Sequence, residues 1–331
     1  MIDLVAFLEV LKGSREHGTD FRPSPVDIFT SGFPGPMPRE LNPELELQRG
    51  AQVRALPLGI APHSRPVASV DSTAFVLGDI PDGIVCALRA AVVLHEPSKP
   101  ASIQRYGPYL AMVTNQTKDE VYARLQKAVF GRSFGTAPHL MEIVNRFRSM
   151  LEQRIQMELA ETFRGSILLF DGSLVSGFVG TPARFTDDLL SRAREGGNDV
   201  VAIAKQTTLA LAHDRHSILS VLDGLEEPCF AEVKSHLAGD SGAYRGNIYV
   251  CRFVAQGEPF RTDVRATDDA LVLREIAGLA GDFGYPEELR LAHVYAVFDG
   301  PEIIELQAAS VCLAGLELKD NLRKRLFGPW G

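Results

Sequence analysis

Cysteine is scarce: only Cys86, Cys229, Cys251 and Cys312 occur among 331 residues, widely scattered and never as a CxxC pair. Zinc knuckles and disulfide scaffolds need denser cysteine patterns, so both are excluded, and the four thiols are expected to pack as small buried hydrophobes. No apolar run approaches the roughly 18 residues that indicate a bilayer span. The first thirteen residues, MIDLVAFLEVLKG, carry Asp3 and Glu9 and lack the basic start of a secretory signal. A soluble, cytoplasmic protein is expected. Excess positive charge is missing as well, since the formal net charge is −8 and the pI is near 5.6. This balance disfavours a broad basic surface for nucleic acid. It remains compatible with a polyanionic partner held along a local basic strip. Arg146, Arg148 and Arg154 form one candidate strip, and Arg323, Lys324 and Arg325 another, with solvated helix faces as the alternative reading.

No internal repeat or low-complexity tract interrupts the chain, and 45% hydrophobic content is enough for one large core with embellishments. Residues 1–66 read as a short helix followed by an irregular arm over 20–66, because FRPSPVDIFTSGFPGPMPRE is rich in proline and glycine and shows no period. The core is expected over 67–315, with a tail at 316–331. PVASVDSTAFVLG, GIVCALRAAVVLH and QRYGPYLAMVTN read as three strands in a meander. The spacing Thr117-Lys-Asp-Glu120 predicts a capping box, opening a helical region over 117–163 that is broken near Gly131–Gly135. SILLFDG is a buried strand ending at Asp171; a helix near 185–195 and a strand from Asp199 to Lys205 follow. Further strands are expected at 229–235 and 247–254, and helices over 268–313. The order predicts an α/β fold, a mixed sheet flanked by helices.

Asp71 lies inside one strand and Asp171 ends another. A buried carboxylate must reach the sheet's edge, find a partner or bind a cation. MLEQRIQMELAE supplies Glu152, Glu158 and Glu161 as candidate third acids. If this helix packs antiparallel to the strand ending at Asp171, that strand climbs about 17 Å. Glu152, roughly 17 Å back from Phe163, then stands level with Asp171, whereas Glu158 lies only about 8 Å back. Glu152 is favoured, and a tilted helix reopens the choice. Three such carboxylates suit two hard cations, magnesium or manganese, which about 4 Å apart can activate water and stabilise a leaving oxygen in phosphodiester cleavage. Strand-end acids that cap turns or pair with arginine are the competing reading. Lys205 ends its strand on the same rim as Asp171 and could neutralise charge on a phosphate, or serve as an ordinary rim lysine. In Gly284-Tyr285-Pro286, the proline fits the first turn of a helix and Tyr285 its cap region; His293 lies two turns along, either as a core histidine or as a metal ligand or phosphate donor.

In order, VASVDSTAF, SILLFDGSL, VVAIAKQT and GYPEELRLAHVYA resemble the motifs of the NurA nuclease family over about residues 67–297. The resemblance implies an RNase H-like fold and manganese- or magnesium-dependent cleavage of DNA, as a 5′–3′ exonuclease and single-strand endonuclease. It also implies a homodimer that processes double-strand ends with a HerA-type hexameric ATPase. Residue by residue, it assigns Asp71, Glu152 and Asp171 to metal binding and places Lys205, Tyr285 and His293 beside the phosphate or metal, with His293 counted as a fourth candidate metal ligand. Ser72 stands where a glycine commonly follows the aspartate in that family. A non-catalytic DNA-end or ATPase-binding subunit, or an RNase H-like nuclease of other specificity, is the alternative.

Overall fold

The computed structural model describes residues 2, 4–12, 20–26, 45–177, 180–211, 217–238, 241–314 and 316–318. In chain order the elements are α1 (Val5–Lys12), β1 (Asp20–Pro23), β2 (Ala55–Pro57), β3 (Val67–Ile80), β4 (Gly83–His95), β5 (Ser102–Thr114), α2 (Lys118–Phe130), α3 (Leu140–Thr162), β6 (Ile167–Asp171), α4 (Phe185–Glu195), β7 (Asp199–Ala204), β8 (Cys229–Glu232), β9 (Asn247–Arg252), β10 (Pro259–Arg265), α5 (Asp269–Ala277), α6 (Glu287–Ala296), α7 (Gly300–Ala314) and β11 (Glu317–Leu318). β3, β4 and β5 form the antiparallel meander, while β6 and β7 join β3 in parallel and β10, β9, β8 and β2 extend the sheet. This mixed sheet with helices on both faces is the expected α/β architecture.

Side-chain alternation along the strands creates the two layers. Ala68, Val70, Leu168, Phe170, Val200 and Ala202 face the core beneath α1 to α4. Their neighbours Val67, Ile167, Leu169, Val201 and Ile203 face α5 and α6. Burial on both faces explains why β6 and β7 read as continuous apolar runs. No described helix is long and apolar enough to cross a membrane.

β3 is long enough for one edge to serve two partners. β4 lies along one side throughout, while the other side pairs with β6 over Val67–Val70 and with β1 at Gly78 and Asp79. Between these ladders, from Asp71 onward, no described strand pairs with this edge, which is open among the described residues.

Several expectations need correction. Thr117 forms no capping box: it already has helical backbone angles and makes no side-chain cap bond. Its hydroxyl instead accepts from the Thr114 amide. The stretch read as an irregular arm contains β1 and β2, and β1 pairs with β11 from the tail. Residues 27–44 and 319–331, including Arg323, Lys324 and Arg325, lie outside the described residues. Pro286 caps α6 rather than opening it, with Glu287 the first helical residue. Cys86, Cys229 and Cys251 are buried and free, but Cys312 is exposed.

Strand β10 escapes sequence reading because PFRTDVR carries three charged residues. Arg261 and Asp263, two apart and so on one face, bond each other at 2.7 Å and are both fully buried. Asp263 Oδ2 also accepts the Leu174 amide at 2.9 Å, tying down the loop after β6. Removing one partner of such a buried pair typically destabilises a protein by about 3–5 kcal/mol. Asp263→Ala should therefore lower the urea midpoint markedly; a midpoint shift as small as that of an exposed-site control would show that this pair does not hold the loop.

Candidate active site

The β3–β6 ladder runs in register from Val67 opposite Ile167 to Val70 opposite Phe170. The next residues in each strand are Asp71 and Asp171, so the two acids stand level where the strands part. Their positions in the alternation put both on the face toward α6. Glycine after Asp171 lets the chain leave the sheet at once: Gly172 has φ +103°, a conformation side chains disfavour, and donates to the Ile203 carbonyl at 2.9 Å.

Helix α6 and the turn before it cover the pair. His293 Nδ1 lies 2.7 Å from Asp71 Oδ2. The Tyr285 hydroxyl donates to Asp171 Oδ1 at 3.2 Å. Lys205, just beyond β7, donates to Asp171 Oδ2 at 3.0 Å, with its ammonium 4.9 Å from the centre of the Tyr285 ring.

Glu152 arrives from α3, in the opposite layer. Ser72 explains how it reaches the acids. At the open edge of β3 the Ser72 amide donates to Asp71 Oδ1 at 2.6 Å, and its carbonyl accepts from Arg148 at 3.4 Å. The Ser72 hydroxyl donates to Glu152 Oε2 at 2.6 Å, and Arg148, one helical turn earlier, bonds the same oxygen at 3.0 Å. Glu158 turns elsewhere, to Arg154 at 2.7 Å, and Glu161 lies 3.8 Å from Arg192. The structure therefore brings Asp71, Glu152, Asp171, Lys205, Tyr285 and His293 into one cluster.

Sequence reasoning missed Ser72 and Arg148 as members of the cluster. Serine beside Asp71 in an apolar strand was the available signal for the first. Arg148 shares a helix face with Glu152 by its four-residue spacing. It was instead a candidate for the basic strip, and that strip does not exist as a surface: Arg148 is buried, Arg154 is paired, and Arg146 packs beside Tyr122 and Gly180. Arg154 lines a groove of about 480 Å³ between α2, α3 and α4 with Arg184 and Arg192, but each of these arginines has an acidic partner.

The cluster is electrostatically tense. Burial, reinforced by Asp71 and Asp171 and opposed by Arg148 and Ser72, pushes the Glu152 carboxyl up to about 7. Burial and the nearby Asp171 charge raise the Tyr285 hydroxyl far above its ordinary range, so it stays protonated and serves as a donor. Among the described residues, no group of three or more His, Cys, Asp or Glu side chains is already arranged to hold a metal ion. Each carboxylate is turned toward a protein donor. The donor chemistry nevertheless fits a hard cation, because three carboxylates converge where their mutual repulsion would be relieved.

The raised Glu152 carboxyl has a consequence for stability. Its proton is held more tightly in the fold than in the unfolded chain, so its effect is absent below the ordinary value of 4.5. Metal-free stability should then fall as pH rises from there through about 7, by ~3 kcal/mol at most. Urea melts in EDTA at pH 5.5 and 8.5 are expected to show this fall in the wild type and a smaller one in Glu152→Gln; equal falls would contradict it.

A family model described as the NurA domain matches residues 65–298. The NurA nuclease from Sulfolobus solfataricus has 15% identity over 77% of this chain and 86% of its own, with a TM-score of 0.49. NurA bound to dAMP and manganese has 11% identity over 73% of this chain and 86% of its own, with a TM-score of 0.46. Human ENDOV has 18% identity over 74% and 86% of the two chains, with a TM-score of 0.39. No curated protein matches the chain.

Proposed function

We propose, from the premise that this chain belongs to the NurA family, that it is a divalent-metal-dependent DNA nuclease hydrolysing phosphodiester bonds at the Asp71, Glu152 and Asp171 cluster. The observation that carries this reading is the convergence of three acids from three separate elements, with Glu152 raised to about 7. Structural ion pairs that needed no ligand would be expected to balance charge more completely.

Asp71, Glu152 and Asp171, with His293 beside Asp71, would hold manganese or magnesium. The chemistry supplied on binding is activation of an attacking water and neutralisation of charge on the scissile phosphate, best met by two ions. For the acids to become ligands, Lys205 must release Asp171 and Arg148 must release Glu152. Lys205 is half-exposed and can swing its ammonium to a non-bridging phosphate oxygen. Tyr285, held protonated, orients Asp171 or donates to that phosphate. His293 fixes the rotamer of Asp71 and presents its imidazole at the rim.

The same reading includes a homodimer working with a HerA-type hexameric ATPase at double-strand ends, with 5′–3′ exonuclease and single-strand endonuclease action. A net charge of −8 gives little long-range attraction to DNA, so delivery by a translocase would raise the local concentration of ends. The arm over 20–66 and the tail over 316–331 are the candidate contact segments. Their described parts meet where β1 pairs with β11.

A panel of single-stranded DNA, duplex ends and RNA tests the activity. Cleavage of DNA is expected with manganese or magnesium and none with EDTA. Turnover in EDTA would exclude metal-dependent hydrolysis, preference for RNA would favour another specificity, and no cleavage of any substrate would favour a non-catalytic DNA-end subunit. For the partner, a stable complex and ATP-dependent stimulation of duplex resection are expected; full resection by the nuclease alone, without association, would remove the ATPase from the proposal.

A further inference from the structure

Phe283 is the most exposed large hydrophobic side chain among the described residues, at 82%. A lone exposed apolar residue is ordinary on a protein surface, so exposure alone says little. Position gives it meaning. Phe283 lies in the turn between α5 and α6, two residues before Tyr285, whose hydroxyl bonds Asp171. Two residues of chain span at most about 7 Å, so the Phe283 backbone lies within that distance of the residue whose hydroxyl reaches the carboxylate cluster.

The turn is built to keep the ring outside. The Gly281 amide donates to the Tyr285 carbonyl at 3.0 Å, and the Gly284 amide donates to the Gly281 carbonyl at 2.8 Å. Gly284, at φ +83°, supplies the left-handed step that reverses direction between the two aromatics. The Phe283 carbonyl accepts from Glu258, so the backbone is also tied to the loop between β9 and β10. As a result Tyr285 turns inward against Phe260 while Phe283 faces solvent.

An aromatic face beside a phosphate-cleaving centre offers a ligand one thing, a flat apolar surface. Exposed Asp282 next to it repels phosphate, so a strand crossing the turn would direct its bases toward Phe283 and its phosphates toward Lys205. We propose that Phe283 is a nucleobase-stacking platform for an unpaired strand, seating a base one or two nucleotides from the scissile phosphate. The proposal rests on the nuclease reading and narrows its substrate to single-stranded or frayed DNA, because paired bases already stack on one another. Every base has a π-face, so the platform would be indifferent to sequence.

The test uses the full chain and a fluorescent single-stranded oligonucleotide, with cleavage followed in manganese and binding by anisotropy in EDTA. Phe283→Ala should raise KM and Kd about tenfold with kcat nearly kept, and Phe283→Trp should restore both. An abasic nucleotide placed at successive positions near the cleaved bond should weaken the wild type at one position by the same factor, and Phe283→Ala not at all there. The thermal midpoint should stay unchanged because the ring packs against so little. Equal KM and Kd in wild type and Phe283→Ala, or an additive abasic effect, would overturn the platform. A changed oligomeric state with unchanged DNA binding would assign the ring to a protein contact instead. If the wild type cleaves no DNA the nuclease reading fails, while the anisotropy series still decides whether Phe283 stacks on a base.

Discussion

Asp71→Asn and Asp171→Asn are each expected to lower metal-dependent DNA cleavage by more than about a hundredfold, equivalent to roughly 2.7 kcal/mol of transition-state stabilisation. Each exchange removes an anionic oxygen with almost no change in volume, from two side chains held level at the end of the β3–β6 ladder. The fold should survive. Asparagine at 71 can still accept from the Ser72 amide, and asparagine at 171 can still accept from Tyr285, so circular dichroism and the thermal midpoint should remain close to wild type. What is lost is the charge a hard cation requires. Purified, folded variants that both keep near-normal activity would remove the metal centre from these residues.

Replacing Glu152 by glutamine should produce a loss of similar size, while Glu158→Gln should leave activity within about threefold of wild type. The two glutamates lie less than two turns apart on α3 but face different surroundings. Glu152 meets Ser72 and Arg148 at the open edge of β3 and is influenced by both aspartates. Glu158 is paired with Arg154 on a partly solvated face, the kind of ion pair that usually contributes little. The opposite ranking, measured as kcat/KM on single-stranded DNA in manganese, would transfer the third ligand to another turn of α3. The aspartates would keep their place. Together with the pH dependence of metal-free stability, this pair of variants separates a catalytic Glu152 from one that is merely buried, since only the former should show both effects.

The sequence alone determined the meander, the break between α2 and α3, and the two parallel strands that follow, because these depend on information carried within a dozen residues. Apolar runs, turn residues and the glycine after Asp171 mark β3 through β7 regardless of what lies beyond them. It likewise marked Asp71 within a strand, Asp171 and Lys205 at strand ends, Tyr285 at a helix cap and His293 along the helix. Tertiary structure decided the rest, for a physical reason common to each case: the stabilising partner is distant in the chain. Strand β10 is hidden because Arg261 and Asp263 look unburiable until their mutual bond and the Leu174 amide are in place. Arg148 reads as a surface cation until the carbonyl of Ser72 and the carboxylate of Glu152 bury it. The level alignment of Asp71 with Asp171 depends on a parallel register between strands one hundred residues apart, and the nearness of Glu152 to them on a gap left where β6 and β1 share one edge of β3. Local periodicity can say that a carboxylate lies in a strand or on a helix; only packing fixes which carboxylates repel one another, a repulsion that a bound cation would relieve.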